Sequence, residues 1–251
     1  MVKYDDYKRC GKELENLLRL KTAPIAVKMI EKEDEIPKGA LRPKKDKGYH
    51  LAACQQFANT RRQRKTIAML KEDHWCFAPL IAYGLVEDPH HPIVDELTSF
   101  PRFDDGKYIG MVTGALGSIN FEPDMVMVYS NVSQLREMVG AAKMLEKATI
   151  KSEFDPLNSC AYAIIPVIKN GEYRITLPDP GEYTRAAVGE DEIIFSFPID
   201  KLQPLVETLK RSYEMMHNNE EWSQLLLRPD FPRPPFYKEL FEKWGLDTED
   251  K

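Results

Sequence analysis

Apolar residues recur along this chain in two rhythms. Over residues 4–20 (YDDYKRCGKELENLLRL), Leu14, Leu17 and Leu18 share a helical face with Tyr7 and Cys10, which predicts an amphipathic helix. PIAVKMI at 24–30 is β-branched, continuously apolar and introduced by a proline, so it reads as a strand. Residues 50–64 return to helical spacing through Leu51, Cys54, Phe57 and Ala58. A short strand TIAML (66–70) follows, and then an apolar helix LIAYGLV with Pro79 suited to its first turn. MVMVYS at 125–130 is a buried strand. Asn131 or Ser133 then caps a helix whose stripe is Leu135, Met138, Val139, Ala142 and Leu145. A helix is expected from near Cys160 to Asn170–Gly171, with a strand at AIIPVI as the alternative. EYRITL and EIIFSFP read as strands and 200–217 as an amphipathic helix.

The intervening stretches are polar or rich in turn residues. Residues 31–49 carry charges, two prolines and two glycines, and predict a mobile surface loop. Residues 88–124 give no clear rhythm. GMVTGALGSINFEPD is expected to be a connector, or a flexible loop beside a pocket. PDPGEYTRA is a turn-rich loop, and Trp222, Leu225 and Leu226 mark one more short helix. The tail is proline-rich and then amphipathic at FYKELFEKW. The pattern predicts an α/β fold (α+β as the variant), with a mixed sheet flanked by helices. One domain is expected over 1–228, followed by an amphipathic tail over 229–251 that docks on its own body or on a second copy.

Composition narrows the function classes. The chain has 251 residues, 43% hydrophobic and 30% charged, and a net charge of −5, which argues against a general nucleic-acid binder. No segment reaches the roughly 18 apolar residues of a membrane span. The first residues, MVKYDDYKRCGKEL, lack the apolar run of a secretory signal, so a cytoplasmic protein is expected. Four cysteines in a chain of this length are not a disulfide framework. In a reducing compartment they are core thiols, metal ligands or nucleophiles.

Cys54, Cys76 and Cys160 each fall at or near the first turn of a predicted helix, where unpaired amides and the helix dipole stabilise a thiolate. No C-x-x-C, H-E-x-x-H, G-x-S-x-G or G-x-G-x-x-G pattern occurs. Spacing alone leaves three readings open: buried structural cysteines, a metal or cluster site, and a lone nucleophile. Arg61, Arg62 and Arg64 crowd the end of one helix, where cations are favoured in any case. With His74 they are also candidates to bind an anion. Arg185, beside Asp179, Glu182 and Glu192, is either an anion ligand or a surface ion pair.

Several segments together resemble the domain of unknown function 169 family of anaerobic bacteria and archaea. They are Pro24-Ile-Ala-Val-Lys28, Cys54 with its helix, Glu72…Cys76…Tyr83-Gly84-Leu85, FEPDMVMVYSNVSQLREMV, Asn158-Ser159-Cys160-Ala161, and Leu177-Pro178…Gly181…Arg185…Asp191-Glu192. The resemblance spans roughly residues 14–210 and implies that Cys54, Cys76 and Cys160 act jointly. Many relatives have glycines after the second cysteine where this chain has Phe77-Ala78-Pro79, which narrows access to any open metal position. The resemblance implies a fold and a site but no reaction.

The resulting expectation is a 4Fe–4S cluster on Cys54, Cys76 and Cys160, with one iron open to a small anion or to a fourth ligand, Cys10 or His74. The activity would be that of an iron–sulfur oxidoreductase or lyase, with a small molecule or an electron-transfer protein as partner. Two alternatives stand beside it: a metal-free binding or regulatory module with core cysteines, and a zinc–thiolate protein.

Overall fold

The computed structural model describes residues 4–87, 90, 95, 99–217 and 233–246. It divides into two compact units, Met1–Arg211 and Ser212–Lys251. The first is built on a six-stranded sheet in the order β2-β3-β1-β4-β6-β5. The strands are β1 (Ile25–Ile30), β2 (Ile67–Leu70), β3 (Gly110–Ala115), β4 (Met125–Ser130), β5 (Arg174–Thr176) and β6 (Ile193–Pro198). Every pair of these strands is antiparallel. The α/β class is as expected, but the sheet is not mixed: among the described residues parallel pairing is confined to isolated bridges at Leu41–Ile67 and Leu51–His74.

Both sheet faces are covered, which explains why the strands are apolar runs rather than alternating ones. On one face lie α1 (Tyr4–Leu18), α5 (Val132–Glu146) and α9 (Leu202–His217). Leu14, Met138, Leu205 and Val206 pack there against Ala26, Val112, Val126 and Phe195. The opposite face carries α3 (Ala53–Gln63), α4 (Phe77–Ala82), α6 (Ser159–Tyr162) and α7 (Ile165–Asn170). Phe57, Ile81, Tyr83, Ile164 and Ile165 pack there on Val27, Met111, Met127 and Ile194. Asn131 caps α5 as its sequence predicts: its side chain accepts from the Gln134 amide, and Gln134 Oε1 accepts from the Asn131 amide, each at 2.9 Å.

Three stretches depart from expectation. The region expected to be a connector contains β3, an inner strand buried along its whole length. Its glycines reflect close approach: a Cβ on Gly110 would stand 2.3 Å from the Met69 carbonyl oxygen, and one on Gly114 would stand 2.8 Å from the Phe121 ring. Residues 31–49 hold a 3₁₀ turn at Glu33–Glu35 and a short helix α2 (Pro43–Lys47), and are pinned rather than free. Buried Arg42 donates to Asp73 Oδ2 at 2.9 Å and to Glu72 Oε1 at 2.5 Å. The turn around Gly181 forms a short helix, α8 (Pro180–Arg185). Trp222, Leu225 and Leu226 lie outside the described residues. The tail contributes α10 (Pro235–Lys243).

Candidate functional site

The segments bearing Cys54 and Cys76 are joined by backbone pairing. The Leu51 amide donates to the Asp73 carbonyl at 3.0 Å and the Trp75 amide to the Leu51 carbonyl at 2.8 Å. Asp73, fully buried, fixes the turn between them by accepting from Arg42, from the Leu70 amide at 2.9 Å and from the Lys44 amide at 2.8 Å. Cys54 therefore lies in the first turn of α3 and Cys76 is the N-cap residue of α4. Cys76 packs against the small cluster of Ala52, Cys54 and Ala186, and also against the core cluster that contains Cys160. Cys160 is in α6, and its carbonyl accepts from the Tyr83 hydroxyl at 3.1 Å, just past the end of α4. Three thiols from three separate helices thus share one neighbourhood.

That neighbourhood is poor in water and rich in carboxyl groups. Burial pushes the Cys54 thiol up to about 11, against the neighbouring Arg185 guanidinium, which acts downward. Burial also raises Cys160, and the charges of Asp179, Cys76 and Cys54 add to it. Asp179 caps α8 by accepting from the Glu182 amide at 3.0 Å, and it accepts from the Ser159 amide at 3.2 Å. Ser159 Oγ lies 2.9 Å from Asp179 Oδ2 and 2.6 Å from Glu182 Oε1. A hydroxyl has one proton to give, so both contacts are satisfied only when one carboxyl is protonated. Glu182 is the one: burial outweighs the Ser159 hydrogen bond and lifts its pKa to about 7. The Tyr129 hydroxyl is buried with no hydrogen-bond partner among the described residues, and Glu182 is its leading electrostatic neighbour.

The predicted anion ligands separate in space. Arg185 belongs to the thiol group: its charge acts to lower the Cys54 thiol, whose Sγ donates to the Gly181 carbonyl at 3.7 Å, and its guanidinium lies 5.0 Å from the Trp75 ring centroid. Gly181 leaves room for it, since a Cβ there would stand 2.1 Å from Arg185 Nη2. Arg61 is buried in a two-pronged pair with Glu192 at 2.6 and 3.0 Å, and lies 3.9 Å over the Tyr129 ring. Arg62 donates to the Ala187 carbonyl and stands 3.7 Å from Glu192. Arg64 pairs with Glu15 of α1, so the basic cluster is spread over internal partners. His74 is buried, with both ring nitrogens unpartnered among the described residues, and burial lowers its pKa to about 4. Cys10 is buried beside Leu14 and Leu18 on the other sheet face, which removes it as a fourth ligand.

Sequence reading missed Ser159, Glu182 and Tyr129 as members of this site. Ser159 stood out only as part of the Asn158-Ser159-Cys160-Ala161 segment, Glu182 only as a neighbour of Arg185, and Tyr129 as one position in an apolar strand. The spacing Asp179-x-x-Glu182, with Pro180 between, was the one local signal, because it marks a helix start.

Cys54, Cys76 and Cys160 come from separate elements, and thiol sulfur is the donor type that zinc and iron–sulfur clusters take. Among the described residues no group of three or more His, Cys, Asp or Glu side chains is gathered tightly enough to hold one metal ion. The Tyr129 hydroxyl, buried without a partner among the described residues, and Glu182, whose pKa burial lifts to about 7, add polar groups to this neighbourhood.

Fold and site together define a mixed α/β protein with an antiparallel sheet and, on one face, three neighbouring thiols, of which Cys54 and Cys160 are buried and Cys76 half-buried. The chain belongs to the DUF169 family, described as uncharacterised ArCR, whose pattern it matches over residues 13–208. It is similar to the uncharacterized protein MJ0308 of Methanocaldococcus jannaschii, with 23% identity over 219 residues covering 80% of this chain and 92% of that one. No solved structure matches it. No helix among the described residues is long and apolar enough to cross a membrane.

Proposed function

We propose that Cys54, Cys76 and Cys160 hold a 4Fe–4S cluster and that the site handles a small anion beside it. The observation that supports this reading is the position of Cys76, packed both against the Cys54 cluster and against the core cluster holding Cys160. When bound, such a cluster supplies one-electron redox chemistry and an iron not claimed by cysteine. The chain's own residues supply the rest. Arg185, exposed beside Trp75 and in reach of Cys54, is placed to receive an anion entering from solvent. Glu182, whose pKa burial lifts to about 7, shares a proton with Asp179 through Ser159 Oγ and so keeps a proton store in the neighbourhood of the thiols. Arg61 stabilises this arrangement from behind by fixing the Tyr129 ring. The natural setting is a reducing compartment such as the cytoplasm, and the natural partner is an electron donor or acceptor. The tail helix, with Phe236, Tyr237, Leu240 and Trp244 exposed, is the surface for self-association.

Anaerobic purification with metal analysis and a visible spectrum tests the reading. Brown protein with about four irons per chain is expected, with iron lost in Cys54→Ser, Cys76→Ser and Cys160→Ser but retained in Cys10→Ser. Colourless protein that takes up no iron after reconstitution would sink the reading in favour of a metal-free module. Stoichiometric zinc without visible absorption would keep the ligands and remove the electron transfer.

A further inference from the structure

Away from the thiols, the β5 edge of the sheet carries a second set of unmet polar groups. The Arg174 side chain is only 7% exposed, yet its carboxylate partners stand in solvent. Glu153, 87% exposed, is 3.8 Å away, and Glu172 is 3.4 Å away. Arg174 Nε is buried with no partner among the described residues. Ser196 lies directly across the antiparallel pair from Arg174, and strand alternation puts Thr176 on the same face. The hydroxyls of both are likewise buried and unpartnered among the described residues. Buried donors are rarely left unpaired, so a patch of three calls for an acceptor.

Of the three, Arg174 is the one that lines open space, and the space for an acceptor adjoins it. A cavity of about 280 Å³ is lined by Arg174, Arg102, Lys169, Ile165 and Pro166. A hollow of about 780 Å³ shares Glu153, Asn170, Glu172 and Arg174 with it and extends over Ile150, Ile175 and Phe154. Phe154 is 58% exposed, an apolar ring standing at the lip of the larger hollow. Arg102, Lys169 and Arg174 outnumber Glu153 and Glu172 around the smaller cavity, so the balance there favours an anion.

We propose that this edge is a second binding site, for a small organic anion whose carboxylate or phosphate head pairs with Arg174 and whose apolar body packs on Ile150 and Phe154. Arg174 suits the role because its planar donor fork matches an oxyanion with two acceptor oxygens. Glu172 and Glu153 act as stand-ins that the ligand head displaces. The site is independent of the thiol trio and of whatever that trio holds.

Calorimetric titration of the full chain tests it, with acetate, benzoate, inorganic phosphate and phenyl phosphate as probes. Saturable binding is expected for benzoate or phenyl phosphate, tighter than for its smaller counterpart; which of the two is preferred identifies the head group. Arg174→Gln is expected to weaken binding roughly tenfold or more, as for loss of a charge-assisted pair. Glu172→Gln is expected to tighten it, and Cys54→Ser to leave it unchanged. Absence of saturable binding, or unchanged affinity in Arg174→Gln, overturns the proposal. Inorganic phosphate or acetate binding as tightly as its aromatic relative overturns the apolar part. If circular dichroism shows that Arg174→Gln does not fold, Glu172→Gln decides: its side chain is partly exposed, and unchanged or weakened binding there also overturns the proposal.

Discussion

Glu182 is 1% exposed, contacts Ser159 Oγ and has Asp179 as a near neighbour, and its environment sets its behaviour more than its sequence does. Burial raises its pKa from an ordinary 4.5 to about 7. The unfolded chain therefore releases this proton near pH 4.5, while the folded chain keeps it to about pH 7. Between those values the folded state binds more protons, so this group's contribution to stability falls as pH rises. The total loss is roughly 3 kcal/mol across the window. Glu182→Gln, neutral at every pH, is expected to remove that decline. Urea denaturation of metal-free protein at several pH values between about 5 and 8 measures it; an unchanged slope in the variant would assign the decline to other groups. The same residue shows why the site was only half legible from sequence. Thiols are few, so Cys54, Cys76 and Cys160 stood out by type. Glu182 is one carboxylate among many, and only its burial marks it.

The elements that carry the thiols depend on a support that looks like a loop in the sequence. Segment 41–47 lies on the end of β2 because buried Asp73 accepts from Arg42 and from the amides of Lys44 and Leu70. The turn so fixed pairs with Leu51 and thereby sets Cys54 beside Cys76. Asp73→Ala leaves Arg42, with a 9% exposed side chain, short of its main partner. Removing one member of a buried pair costs about 3–5 kcal/mol. The variant is expected to lose that much in urea denaturation, and native-state alkylation of Cys54 and Cys76 is expected to quicken. Stability lost with alkylation unchanged would show that the strap supports the sheet and not the thiols. Charges and prolines hid this segment, because a long-range ion pair has no local signature. Inner strand β3 was hidden for the opposite reason. Gly110 and Gly114 are there because Met69 and Phe121 leave no room for a side chain, yet in sequence they read as a turn. Strands β1 and β4, apolar and free of glycine, and helix α5, with its cap, were legible because local propensity and tertiary burial agree in them.

At the scale of the molecule, the two faces of the sheet divide the work. One is covered by α1, α5 and α9 and holds Cys10 as a core residue. The other carries the thiol trio and the Arg174 edge, so both candidate sites lie on one face of the sheet. The family pattern ends at residue 208, close to the end of the compact unit at Arg211. The body that bears the sites is therefore expected to fold without the tail. A chain ending after His217, which keeps α9 whole, is expected to show the same denaturation midpoint and m-value as the full chain, because m scales with the surface exposed on unfolding. Its iron content after anaerobic reconstitution is expected to be unchanged, and any self-association of the full chain is expected to disappear in sedimentation analysis. A lowered midpoint with normal iron would make the tail a part of the body's stability. A normal midpoint with lost iron would mean that the tail reaches the thiol face, and the cluster site would then need residues that Met1–Arg211 does not contain.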